Sequence, residues 1–133
     1  METKFNSQIC TTREQSERLI ALGLKKETAD MCYFWHWESD DYSRLCASWE
    51  FAHRSNKDIP AWSLHRLIEM MPKNIAIDGD TAYPLQIQKR SDGKWCVGYQ
   101  GWYDCVGDLY DSVIWIYQLL ISEGYLDEFC NKG

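Results

Sequence analysis

Asp108-Leu-Tyr-Asp-Ser-Val-Ile-Trp-Ile-Tyr-Gln-Leu-Leu-Ile-Ser-Glu-Gly124 is the segment of this chain whose pattern of apolar and polar residues is most informative. Wound at about 100° per residue, its apolar side chains gather on one broad arc, which predicts a helix that faces the core of the protein. The residues of that arc are Leu109, Val113, Ile114, Ile116, Tyr117, Leu120 and Ile121.

The polar arc of the same helix carries two apolar residues, Trp115 and Leu119, between Asp111 and Ser122. They are four residues apart, so they form one apolar spot on the side that should face water. We predict that Trp115 and Leu119 bind a partner molecule. In the alternative, another part of this chain covers them, either the C-terminal Tyr125, Leu126 and Phe129 or the aromatic segment 33–37.

Length and charge restrict the number of domains and the class of partner. The 133 residues predict a single domain, residues 1–133. The net charge is −6 and no basic run is present, which argues against nucleic-acid binding. From residue 103 onward six carboxylates accompany one cation, Lys132. Such a surface either keeps the chain soluble or docks on a basic partner.

The six cysteines are scattered, and the N-terminal residues show no apolar signal region. This pattern predicts six free thiols in a reducing cytoplasm. No stretch approaches the roughly 18 uninterrupted apolar residues of a membrane span, so we expect no membrane association.

Two further helices are predicted from their end signals. Thr12 and Gln15 have capping-box spacing, and Gly23 is placed to end the helix that they begin. Ser63 is the expected N-cap of the next helix, which Pro72 ends. The structure of residues 26–58 stays open.

Strands are predicted after Pro72, and register decides the turn of one hairpin. A two-residue loop at Asp92-Gly93 would place the apolar sets of the two strands on opposite sides. A three-residue loop, Ser91-Asp92-Gly93, pairs Ile87 with Val97 and requires a left-handed Gly93. The fold class predicted is α+β: a small antiparallel sheet of about three or more strands with helices packed on one face, in a single two-layer domain.

The sequence predicts no metal site, no cofactor and no catalytic residue. The cysteines and histidines lack the spacing of zinc ligands, and no motif identifies a reaction. An aromatic ligand pocket is the alternative. Its residues would be Trp35, His36, Trp37, Trp102 and Tyr103.

Four segments of the chain resemble a group of small proteins, without an assigned activity, from gut Bacteroidales, their phages and mobile elements. The segments are Glu14–Leu24, Glu27–Met31, Ile59–Pro72 and Glu123–Leu126. The resemblance implies a bacterial or phage-infected cytoplasm and an accessory protein of a mobile element. It implies no substrate and no site residue.

Two functions are therefore expected from the sequence. The first is a non-enzymatic protein-interaction domain, which binds itself as a homodimer or uses its acidic surface to bind another protein. The alternative is a small enzyme or ligand-binding protein that uses the aromatic pocket.

Overall fold

A computed structural model describes residues 8–36, 41–46, 58–76, 79, 81–100 and 102–131. The helices are α1 (Arg13–Ala21), α2 (Leu64–Met70) and α3 (Leu109–Ser122), with short 3₁₀ turns at Lys26–Thr28 and Asp127–Phe129. The strands are β1 (Met31–His36), β2 (Asp41–Cys46), β3 (Ile59–Ala61), β4 (Asn74–Ile75), β5 (Tyr83–Pro84), β6 (Gln86–Lys89), β7 (Trp95–Tyr99) and β8 (Trp102–Gly107).

The strands form three small antiparallel sheets, so the predicted α+β class is confirmed. Their orders are β2-β1-β3, β4-β5 and β6-β7-β8. The sequence predicted one such sheet, whereas the described strands are divided among three. The segment that the sequence left open, residues 26–58, supplies β1 and β2, two of the three strands of the first sheet.

α3 is the central helix of the core and has the predicted bounds within two residues at each end. Asp108 is its N-cap, and the Asp108 carboxylate accepts a hydrogen bond from the Asp111 N–H at 3.1 Å. Val113, Ile116 and Leu120 are completely buried, as the apolar arc predicts. A single residue separates β8 from α3, so the helix folds back beside the strand, and it packs on both β7 and β8.

Two buried tyrosines donate hydrogen bonds to carbonyls in α2 and just after its end. The last carbonyls of a helix lack intrahelical donors. The Tyr117 hydroxyl donates to the Leu67 carbonyl, and the Tyr99 hydroxyl donates to the Pro72 carbonyl at 2.6 Å. Burial raises the pKa of both phenols. These bonds tie α2 to α3 and to β7, which fixes the two sides of the core relative to each other.

The predicted capping box of α1 is present, and it also links α1 to α3. The Thr12 hydroxyl accepts from the Gln15 N–H, and the Gln15 side-chain oxygen accepts from the Thr12 N–H. The Gln15 amide then donates to the Asp111 carboxylate at 2.8 Å. Gly23 ends the helix with φ of +108°, as expected. The cap therefore does two tasks, since it begins one helix and docks it on another.

The predicted hairpin register is confirmed. Ile87 is the partner of Val97 in the β6–β7 pair, and Gly93 has φ of +87°. The Arg90 N–H donates to the Lys94 carbonyl at 2.8 Å, which closes the three-residue loop. Because helices were predicted on one face of the sheet only, the second face of both strands was expected to be open to water. On β7 this is wrong, because Cys96 is buried.

Cys96 is buried because it forms a disulfide with Cys105 of β8. The prediction of six free thiols is therefore wrong for this pair. The register of β7 and β8 shifts between Trp95 and Val97, and this irregularity sets the two cysteine Cα atoms 4.2 Å apart. Adjacent strands at this spacing permit a cross-strand disulfide.

Candidate functional site

The predicted contact residues Trp115 and Leu119 are half-buried and pack against the hydrophobic core. Ser112 indicates which part of the protein lies beside this side of α3. It is completely buried and donates its hydroxyl to the Trp95 carbonyl of β7 at 3.2 Å. Trp115 and Leu119 lie three and seven residues after Ser112, on the same stripe of α3. The pair is therefore on the side of α3 that Ser112 ties to β7, and neither residue is fully enclosed.

Two further aromatic residues, Trp102 and Tyr125, lie near the C-terminal end of α3. Trp102 begins β8, and β8 runs beside the helix in the opposite direction, so Trp102 is next to the C-terminal end of α3. Its ring meets the Tyr125 ring edge to face, with 6.0 Å between the ring centroids. Tyr125 is 37% exposed, one of two large apolar residues in the described ranges that reach this level. We call the residues Trp102, Trp115, Leu119 and Tyr125 the aromatic surface.

Three exposed carboxylates lie in the sequence around Tyr125. They belong to Glu123, Asp127 and Glu128. None of them forms an ion pair with another described residue. Lys25 is the cation tied to this end of the molecule, since its N–H donates to the Phe129 carbonyl at 2.9 Å. Among the described residues at this end of the molecule, the aromatic surface therefore has an acidic edge, with Lys25 held nearby by its backbone.

The residues of the predicted ligand pocket lie in different sheets. Trp35 and His36 are in β1, whereas Trp102 and Tyr103 are the first residues of β8. Trp37 lies outside the described residues. The aromatic pocket stays a prediction, because the structure describes only Trp102 of these five side chains.

A cavity of about 360 Å³ lies instead at the N-terminal end of α3. No sequence pattern indicated it, because its walls come from segments that are distant in the chain. The residues that line the cavity are Gln8, Leu64, Gly93, Trp95, Gly107, Asp108, Leu109 and Tyr110.

The titratable side chains described in the structure do not form an activated nucleophile. Burial raises the pKa of the Cys10 thiol, whose neighbour is the Tyr33 hydroxyl at 3.4 Å. Burial also raises the pKa of Cys130. A raised pKa keeps a thiol protonated and therefore unreactive. His65 is exposed beside Glu69, with 3.5 Å between the His65 Nε2 and the Glu69 Oε2, and does not approach a thiol.

Two further observations concern metals and membranes. In the part of the chain that the structure describes, no group of three or more His, Cys, Asp or Glu residues could hold a metal ion. Among the same residues, no helix has both the length and the apolar character needed to cross a membrane.

No family model, curated protein or solved structure matches this chain.

Proposed function

We propose that this protein is a non-enzymatic interaction domain, and that its aromatic surface binds a basic segment of a partner protein. The observation that carries the proposal is the pair Trp115 and Leu119, which is only half-buried. Together with Trp102 and the exposed Tyr125, it leaves aromatic and aliphatic area open at one end of α3. Aromatic residues are enriched at protein interfaces because they bury a large area with few rotatable bonds.

The acidic edge supports a basic partner. Glu123, Asp127 and Glu128 are exposed and form no ion pair among the described residues. A partner segment that carries arginine or lysine beside an apolar side chain would bury the aromatic surface and neutralise this edge. Arginine also stacks on aromatic rings, which favours it over lysine at such a site.

A homodimer through the same surface is less favourable. A two-fold interface brings the same patch of both copies together, so the three carboxylates would face or flank their own symmetry mates. Like charges placed together in an interface reduce affinity. The chain also has a net charge of −6, which adds repulsion between copies.

A random peptide library displayed on phage tests the proposal with a defined probe. The peptides selected on the wild-type protein should be enriched in arginine or lysine next to leucine or an aromatic residue. Tyr125→Ala and Leu119→Lys should each weaken the binding of a selected peptide about tenfold or more. Ile9→Ala is the matched control, because Ile9 is 61% exposed and lies outside the aromatic surface; its affinity should not change.

Leu119 packs against the core, so the folding of Leu119→Lys is checked by circular dichroism. If Leu119→Lys is unfolded, Tyr125→Ala alone is used to test peptide binding. The proposal would be wrong if the selected peptides lack basic residues. It would also be wrong if Ile9→Ala lowers the affinity for a selected peptide as much as Tyr125→Ala does. Sedimentation velocity tests self-association separately. If the wild type is a dimer and Tyr125→Ala is a monomer, the aromatic surface binds a second copy of the chain, and the proposal of a basic partner is wrong.

The setting is also part of the proposal: an accessory protein of a mobile element, in the cytoplasm of a bacterial or phage-infected cell. The resemblance stated above supports it. The Cys96–Cys105 disulfide opposes it, because such bonds are rare in a reducing cytoplasm. Alkylation of the protein inside living cells, before lysis, decides between the two. Modified Cys96 and Cys105 would support the cytoplasmic setting, and protection of both would contradict it.

A further inference from the structure

The cavity at the N-terminal end of α3 is separate from the aromatic surface. Its volume of about 360 Å³ lies within the range of about 300–1,000 Å³ that small-molecule pockets have. Leu119 and Tyr125 lie toward the other end of α3, a helix of 14 residues and thus roughly 21 Å long, and Trp115 lies at its middle. A ligand in this cavity would therefore leave the aromatic surface open.

The strands that carry the cavity wall are held in place covalently. Trp95 and Gly107 are register partners in β7 and β8, and the Cys96–Cys105 disulfide joins the same strands next to them. Gly107 has φ of +117°, and a Cβ placed on it would meet no atom within 4 Å. The wall therefore combines a fixed strand pair with open space beside the backbone, which lets a ligand approach closely.

The charge of the wall disfavours an anion. Asp108 is the one charged residue of the lining, and it forms no ion pair with the residues that the structure describes. Its carboxylate already accepts the Asp111 N–H, one of the amides that an anion at this helix end would need. A negatively charged ligand would therefore meet repulsion and find this donor occupied.

The remaining walls suit an organic body. Trp95 and Tyr110 present aromatic rings, and Leu64 and Leu109 present aliphatic side chains. We propose that this cavity binds a small organic cation, with its ammonium group beside Asp108 and its aromatic or alkyl body against Trp95 and Tyr110.

Three ligands with the same ring and different charge test the proposal. They are 2-phenylethylamine, 2-phenylethanol and phenylacetate, each titrated into the ¹⁵N-labelled full chain. The amine should shift the amide signals of Gly93, Gly107 and Leu109 in a saturable way. The alcohol should bind these positions about fivefold more weakly, and phenylacetate should leave them unchanged.

Asp108→Asn is the deciding variant, because asparagine is as good an N-cap as aspartate and the charge alone is lost. This variant should bind the amine about fivefold more weakly than the wild type and bind the alcohol with unchanged affinity. Asp92→Asn is the control, since Asp92 lies in the neighbouring turn, pairs with Arg90 and does not line the cavity. Equal binding of the three ligands, shifts confined to other residues, or the same effect from both variants would overturn the proposal. The test is independent of the peptide selection, because it concerns the opposite end of α3.

Discussion

Replacing both Cys96 and Cys105 by alanine should destabilise the protein by about 3 kcal/mol. The disulfide closes a short loop, since the two cysteines are nine positions apart in sequence. For a loop of about ten residues, the entropy that the cross-link removes from the unfolded chain corresponds to about 3 kcal/mol at 25 °C. In a chain of 133 residues the unfolding entropy is roughly 0.28 kcal/mol/K, so Tm should fall by about 10 °C.

Urea unfolding of the wild type and the double variant, each with and without a phosphine reductant, measures this difference. The reductant should lower the midpoint of the wild type and leave the double variant unchanged. Alkylation of the denatured wild type without reductant should modify at most four of its six cysteines. Six modified cysteines, or a double variant within about 0.5 kcal/mol of the wild type, would refute the disulfide as a stabilising cross-link.

Two further predictions concern the hairpin and the buried phenols. Gly93→Ala should cost about 1 kcal/mol in urea unfolding: φ at Gly93 is +87° and a Cβ there would meet no atom within 4 Å, so the cost is conformational; a neutral variant would contradict the left-handed turn. Tyr117→Phe should cost about 1–2 kcal/mol at neutral pH, since the buried Leu67 carbonyl loses its donor. Burial raises the Tyr117 pKa above its unfolded value of about 10, so this phenol contributes stability that is complete below about pH 10 and is lost as pH rises towards the folded pKa. Urea midpoints across that range should therefore decline less steeply in Tyr117→Phe, and equal slopes would contradict the assignment.

The helices and one hairpin were predictable because local signals determine them. The capping box at Thr12 and Gln15 and the N-cap at Ser63 depend on residues three positions apart, and the structure contains both. The hairpin register followed from keeping Ile87 and Val97 on one face. Such signals need no knowledge of distant segments, which is why the sequence alone was sufficient for them.

β1 was unpredictable for a physical reason. It is the middle strand of its sheet, between β2 and β3. Periodicity identifies a half-buried strand only where apolar and polar residues alternate. The segment Met31–His36 contains no such alternation, although Cys32 is completely buried. Periodicity therefore gave no signal for this strand.

The disulfide and the cavity were missed because both depend on tertiary register. Cys96 and Cys105 become neighbours only through the shifted pairing of β7 and β8, and β8 itself was not predicted. The cavity joins Gln8, Trp95 and Tyr110 from distant segments. Trp115 and Leu119 are half-buried and pack against the core, and their role as contact residues stays a prediction. Ser112 ties the side of α3 that was assigned to water to β7.

Amide mapping of a selected basic peptide on the ¹⁵N-labelled protein tests the proposed function most directly. The account predicts that the largest shifts fall on Trp102 and on residues 115–128, at the C-terminal end of α3. It also predicts that Tyr125→Ala removes them and Ile9→Ala does not. Shifts centred on Gly93, Gly107 and Leu109, or spread over the whole protein without saturation, would contradict a binding site on the aromatic surface.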